Sequence, residues 1–295
     1  MIPQDSPMTT VLIGANGQLG RELQQVFCDR DLVPLTHADL ELTDRAQVRE
    51  TVRKYQPRLI LNTGAYNLVD ECEDYPERSF AVNTLAVRDL AIAAKEIGAA
   101  LVHFSTDYVF DGRQRHPYRE VDPPGPLSVY AASKLAGEYF VRAALDRYFI
   151  IRSCGLYGLA GSSAKGGNFI ETMLRMAREG REIHVVGDQV LTPTSAKELA
   201  QKVRQLVETG AYGLYHITNN GTCSWYQFAV AIFEFSGIRP LLTETTSAVF
   251  GARANRPAYS VLENTNLRSL GLDDLRDWRD ALKEYLVDRD RARGG

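Results

Sequence analysis

The sequence is short of several things at once. No apolar run approaches the roughly 20 residues that a membrane-spanning helix needs, so no membrane partner is expected. There are only four cysteines in 295 residues, Cys28, Cys72, Cys154 and Cys223. They stand far apart with no CxxC pair. That argues against a zinc site and a disulfide framework, and it favours a reducing cytoplasm. Neither sign of charge dominates: the formal net charge is −3, with acidic and basic residues well mixed. Nothing electrostatic therefore points to nucleic acid or an anionic membrane as partner. The histidines, His37, His103, His116, His184 and His216, are scattered, and none sits at ligand spacing from a cysteine or carboxylate. The opening MIPQDSPM has no apolar segment of the kind a secretory signal carries, and it reads as a loose leader. No internal repeat or low-complexity segment stands out.

What is present is ample apolar material, 44% of the chain, enough for one large domain or two smaller ones. Short apolar runs at 10–13, 32–35, 58–61, 100–104 and 148–151 alternate with helical patterns at 21–28, 46–55, 76–97 and 127–145. This rhythm predicts βαβ units in an α/β fold, a Rossmann-type doubly wound parallel sheet covered on both faces. Ligands then belong at the C-terminal strand ends. After Arg152 the rhythm loosens. Residues 155–158 and 161–167 read as loops, with helices at 168–179, 195–208 and 224–236 and a strand at 183–186. The expectation is a dinucleotide-binding domain over 8–152 and a mainly substrate-binding α+β lobe over 153–295, with some strands returning to the first sheet.

The stretch Gly14-Ala15-Asn16-Gly17-Gln18-Leu19-Gly20 follows the first strand and opens a helix. Glycines at such spacing also make plain turns, and the spacing is GxxGxxG rather than GxGxxG. The strand before and helix after promote it to a pyrophosphate cradle, where backbone N–H groups meet the phosphates at a helix N-terminus. The second strand ends Leu35-Thr36-His37-Ala38 without a carboxylate, and Asp39 comes later in the loop. A carboxylate there would repel a 2′-phosphate. Its absence leaves NADPH open as cofactor, with NADH as the alternative.

Tyr130 and Lys134 lie one turn apart on a predicted helix. An ammonium beside the phenol is expected to lower its pKa from about 10 toward working pH. Tyr130 then gives a proton to a carbonyl oxygen, while Lys134 also hydrogen-bonds the cofactor ribose. The pair by itself is common. Its position helps: it opens the helix after the fourth βα unit, below the cluster Ser105-Thr106-Asp107. Hydroxyls at a strand's C-terminal edge suit a substrate carbonyl, and they equally suit a loop turn or helix cap. Trp225 and Trp278 read as helix-face packing. Gln189 and Arg256 suit a nucleotide diphosphate, or a loop salt bridge.

At this point the chain resembles the extended short-chain dehydrogenase/reductases and, within them, the dTDP-4-dehydrorhamnose reductases. The likeness runs through GANGQLG, ADLELTD, NTGAYNLVDECE, FSTDYVFDG, YAASKLAGE, GGNFIETMLRMA, VVGDQVLTPT and GLYHITNNGTCSWYQFA. It implies that Gly14, Gly17, Gln18, Leu19 and Gly20 serve the pyrophosphate, Asp39 and Leu40 the adenine, and Ala65, Tyr66, Asn67 and Phe104 the rest of the dinucleotide. It implies Tyr130 as acid, Lys134 as its partner and Thr106 at the carbonyl. Asp107, Asn168, Gln189 and Arg256 fall on the substrate side. The implied reaction is reduction of the C4 ketone of dTDP-4-dehydro-L-rhamnose, for surface polysaccharide, by a cytoplasmic monomer or homodimer. Some members of the family also use magnesium, but no carboxylate cluster in this sequence demands a metal.

One departure bears on the substrate. Where the family reads RTSWVYG, this chain reads Arg152-Ser153-Cys154-Gly155-Leu156-Tyr157-Gly158, so a sugar-facing tryptophan is replaced by Gly155. Two other readings stand beside the first. One is a reductase or epimerase of another nucleotide sugar. The other is a non-catalytic partner protein, like the regulatory subunit of methionine adenosyltransferase.

Overall fold

A computed structural model describes residues 9–160 and 166–294. The leader before residue 9 and positions 161–165 of the expected loop lie outside the described residues. The chain begins with β1 (Thr10–Ile13), α1 (Gln18–Val26), β2 (Leu32–Leu35), α2 (Arg45–Tyr55) and β3 (Leu59–Asn62). Two short helices, α3 (Val69–Asp74) and α4 (Pro76–Phe80), lead through a π-helical turn, Ala81–Leu85, into α5 (Ala86–Ile97). Then come β4 (Ala100–Thr106), a 3-10 turn (Asp107–Val109), α6 (Val129–Ala144) and β5 (Tyr148–Ser153).

The second half is more broken. It runs β6 (Leu156–Tyr157), α7 (Phe169–Arg178), β7 (Ile183–Val186), β8 (Val190–Leu191), β9 (Thr194–Ser195), α8 (Ala196–Thr209) and β10 (Gly213–His216). After these come β11 (Cys223–Ser224), α9 (Trp225–Ser236), β12 (Leu242–Thr245), α10 (Ser247–Phe250), α11 (Thr265–Ser269) and α12 (Trp278–Gly294). Among the described residues no helix is long and apolar enough to cross a membrane.

Six strands form one parallel sheet in the order β2-β1-β3-β4-β5-β10. The predicted doubly wound sheet is therefore present. Successive side chains alternate between its faces. Val11, Ile13 and Ile60 pack with α2, α5 and α6 on one side, and Leu12, Leu61 and Val102 with α1 and α8 on the other. Burial on both faces is what makes these strands read as near-continuous apolar runs. Each such side chain contributes about 1.5–3 kcal/mol when taken out of water. The direction of winding reverses between β1 and β3, and that reversal opens a crevice at their C-terminal ends.

The sheet's sixth strand comes from beyond residue 200 and pairs with β5. Its sequence, GLYH, is too short and mixed to announce itself. The predicted single helix over 76–97 is helical throughout but interrupted by the π-helical turn. There the Asn83 side-chain amide pairs with the Tyr66 backbone, accepting from its N–H and donating to its C=O, both at 2.9 Å. The smaller lobe has its own core, in which Ile170, Leu174, Ile183, Phe228, Ile232, Trp278 and Leu282 meet. Its strands β7 and β12 pair in parallel.

Candidate active site

The crevice holds a cavity of about 440 Å³. Gly14, Gly17, Gln18, Leu19, Leu40, Ala65, Tyr66, Asn67, Phe104, Tyr130 and Lys134 all line it. The turn beneath it depends on glycine at two positions. Gly14 has φ +79°, and a Cβ there would lie 2.5 Å from Thr63 Oγ1. Gly20 sits so close to the Gly14 carbonyl that no side chain fits between them. The first turn of α1 has neither a side-chain cap nor an acidic residue, so its N–H groups and dipole remain available to an anion. Two buried amide oxygens, Gln18 Oε1 and Asn67 Oδ1, have no hydrogen-bond partner. A bare helix N-terminus and unmet buried acceptors along one groove fit a nicotinamide dinucleotide.

A second cavity of about 430 Å³ adjoins the first. Thr106, Asp107, Asn168 and Gln189 line it, together with Gly155, Leu191, Phe169 and Trp225. The two cavities share Gln18, Asn67, Ser105, Tyr130, Ser153 and Leu156. Tyr130 thus stands where the spaces meet. Its helix α6 is fixed at the start: Ser128 caps it by accepting from the Ala131 N–H, and Glu73 accepts from the Val129 N–H at 2.8 Å.

The electrostatics at the junction differ from the expected pairing. Lys134 is buried, and its Nζ donates to the Phe104 carbonyl at 2.6 Å. Burial pushes its pKa down to about 8, with Glu138 pulling the other way. Tyr130 is not lowered. Burial and the nearby Asp107 carboxylate push its pKa up, against a hydrogen bond with Thr106 that works downward. The phenol therefore keeps its proton, which is the state a proton donor needs. Asp107 is itself raised by burial, while Cys154, Ser260 and Thr106 hydrogen-bond it and act in the opposite direction. The Cys154 thiol donates to Asp107 Oδ2 at 2.9 Å.

Several expected residues stand elsewhere or are already engaged. Gly20 lies behind the turn, off the cavity wall. Asp39 is exposed and folded back, accepting from the Thr36 N–H and hydroxyl at 2.8 and 2.7 Å. Arg256 is gripped by Asp70 at 2.8 Å and does not line the second cavity. Asn168 lines it but caps α7, and its amide donates to the Gly158 carbonyl and the Tyr285 hydroxyl. Trp225, expected as packing, lines the cavity with its ring 4.7 Å from that of Phe169. Arg78, which the sequence gave no reason to single out, also lines the first cavity, as do Thr36 and His37. Its guanidinium lies 4.7 Å over the Tyr66 ring. Among the described residues no group of three or more His, Cys, Asp or Glu gathers to hold a metal ion.

Gly155 has φ +54°, and a Cβ there would lie 2.8 Å from Leu191 Cδ1. The space that a side chain at 155 would enter is filled by Leu191. The wall of the second cavity is therefore aliphatic at this point.

The chain is 40% identical over 288 residues to the spore coat polysaccharide biosynthesis protein SpsK of Bacillus subtilis, covering 97% of this chain and 99% of that one. It is 39% identical over 293 residues to a dTDP-4-dehydrorhamnose reductase of Streptomyces griseus, covering 96% and 94%. The crystal structure of dTDP-4-dehydrorhamnose reductase from Bacillus anthracis in complex with NADP superposes with a TM-score of 0.91 at 36% identity, covering 96% of this chain and 100% of that one. The family described as RmlD substrate binding domain matches residues 8–291, and the chain belongs to that family.

Proposed function

We propose that this chain is an NADPH-dependent reductase that converts dTDP-4-dehydro-L-rhamnose to dTDP-L-rhamnose. One observation carries the reading: a buried phenol that keeps its proton, shared by a groove fit for a dinucleotide and a cavity fit for a sugar. The Streptomyces relative bears the name of that reductase over almost its whole length, and the Bacillus anthracis structure holds NADP.

Bound NADPH supplies the hydride that reaches the carbonyl carbon. The first N–H groups of α1, at Gln18 and Leu19, receive the pyrophosphate above the Gly14–Gly17 turn. Ala65, Tyr66, Asn67 and Phe104 would wall the dinucleotide, with Leu40 contributing to the adenine side. Arg78 lines the groove together with Thr36 and His37, and its guanidinium suits a 2′-phosphate. Thr106 hydrogen-bonds the substrate carbonyl oxygen. Tyr130 gives that oxygen its proton, and the Lys134 ammonium compensates the phenolate that forms.

The test is direct. Purified protein is mixed with NADPH and dTDP-4-dehydro-L-rhamnose generated in situ. Stoichiometric loss of NADPH with appearance of dTDP-L-rhamnose is expected. No NADPH oxidation with this substrate removes the assignment. The aliphatic wall at Gly155 and Leu191 favours one second reading, reduction of a different 4-keto nucleotide sugar, and a substrate panel in the same assay separates the two.

A further inference from the structure

Tyr130, Lys134 and Glu138 stand four residues apart on α6, so one stripe of the helix carries a phenol, an ammonium and a carboxylate. Glu138 is 1% exposed and Arg152 is 3% exposed. Arg152, from β5, grips Glu138 with two donors, Nε to Oε1 at 2.9 Å and Nη2 to Oε2 at 2.6 Å. Ser105, near the end of β4, donates its hydroxyl to the same Oε1 at 2.5 Å. The guanidinium is packed 5.1 Å over the Phe110 ring. Two neighbouring strands thus hold one carboxylate in place with three hydrogen bonds.

A buried ion pair adds little stability, because desolvation offsets most of its Coulomb gain and apolar side chains of similar volume pack as well. Its location is more informative. Glu138 is one helical turn from Lys134, and Ser105 lines both cavities. Resting on the reductase reading above, we propose that Glu138 is a positioning residue for the reaction: anchored by Arg152, it holds Lys134 as an ammonium and fixes the Ser105 hydroxyl against the sheet.

The groups around Lys134 support this. On its own helix they are Tyr130 and Glu138. On β4 they are the Phe104 carbonyl, Ser105 and His103, and on β5 there is Arg152. Burial and the Lys134 charge keep His103 neutral. Of these groups Glu138 is the one anion, and its field opposes the desolvation that lowers the lysine. Removing that negative charge leaves desolvation unopposed, so the ammonium loses its proton at lower pH.

The test is the pH profile of kcat/KM for NADPH-dependent reduction of the keto sugar. The Lys134 ammonium exists below its pKa, so activity that needs it falls as pH rises through that value. In Glu138→Gln the basic limb is expected to move down by about one pH unit. Activity then drops roughly 10-fold more at pH 8.5 than at pH 6, while Glu138→Asp, which keeps the charge, restores the wild-type limb. A uniform fall at every pH, with the limb unmoved, overturns the inference and leaves Glu138 a structural residue. If Glu138→Gln fails to fold because Arg152 is left unpaired, the double variant Glu138→Gln/Arg152→Met removes both charges; the repulsion between Arg152 and the ammonium goes too, so its basic limb must move down, but by less than expected for Glu138→Gln. Failure of both variants to fold also overturns it. Wild-type protein that oxidises no NADPH sinks the reductase reading instead, and an active wild type with an unmoved limb sinks this inference alone.

Discussion

The two cavities are nearly equal in volume, about 440 and 430 Å³, but they are built in opposite ways. The first is made by successive βα units, each delivering a short loop at the end of its strand. The turn after β1, the end of β2 and the segment after β3 meet there. The second gathers residues from Gln18 to Ser260, from strand ends, helix starts and loops of both halves. Local chain rules therefore write the dinucleotide side, and tertiary packing writes the sugar side. A consequence is that side chains on the sugar side can be exchanged against each other, as Gly155 and Leu191 illustrate, whereas the glycine turn cannot give.

The phenol belongs to both sides, and its loss gives the largest effect. Tyr130→Phe is expected to lower kcat by about 10²–10⁴-fold while NADPH binding measured by fluorescence titration is retained. Retained turnover would dissolve the link between the cavities.

Next come the two glycines. Gly20→Ala drives a methyl into the Gly14 carbonyl, where backbone stands on both sides, and should cost about 1–3 kcal/mol in urea unfolding and weaken NADPH. Gly155→Trp should cost a similar amount, from a strained backbone and the clash with Leu191, but leave NADPH affinity intact. Adding Leu191→Gly should recover part of that loss, because the nearest obstacle is a flexible side-chain end, with the Pro193 Cα next at 3.2 Å. If Gly155→Trp harms NADPH binding as much as Gly20→Ala does, the contrast between the two sides fails.

A smaller effect sharpens the cofactor side. Arg78→Leu is expected to raise KM for NADPH roughly 10-fold, the equivalent of one charge-assisted hydrogen bond, with KM for NADH unchanged. Equal effects on both nucleotides would place Arg78 away from the 2′-phosphate.

The last effect concerns the sheet beneath both cavities. His103 and His216 are buried and held neutral, and His216 is pushed down to about 3 by burial and by Arg152. An unfolded histidine takes a proton near 6.5, so between about pH 6.5 and 3 the unfolded chain binds more protons than the folded one. Stability should fall as pH falls through that window, by up to about 1.4 kcal/mol per pH unit for each histidine. Urea midpoints measured against pH should show the slope, and His216→Asn should flatten it.

Much of this was legible in the chain itself. The first five strands of the main sheet announced themselves because both faces are covered, leaving no polar alternation to confuse them. The glycine turn was legible because it is purely local. So was the Tyr130–Lys134 spacing, and Glu138 completes the same four-residue period one turn later. What stayed hidden depends on contacts across long stretches of chain. Tyr130 was expected to be acidified by its helical neighbour, but burial and Asp107, brought in from the end of β4, decide its proton affinity. Arg256 suits a diphosphate or a loop salt bridge, and which carboxylate would engage it was not legible because Asp70 lies 186 positions away. Trp225 read as packing because its helix is apolar nearly all round, and the cavity beside it forms only when β8 and the residues after β5 come together.

The sixth strand of the main sheet arrives late, after α8 has been laid over α1. A polypeptide cut off near residue 152 lacks both, so β5 becomes a bare edge able to recruit strands from other molecules. Such a truncation is expected to precipitate rather than yield a miniature nucleotide binder, and the two halves have to be made as one piece.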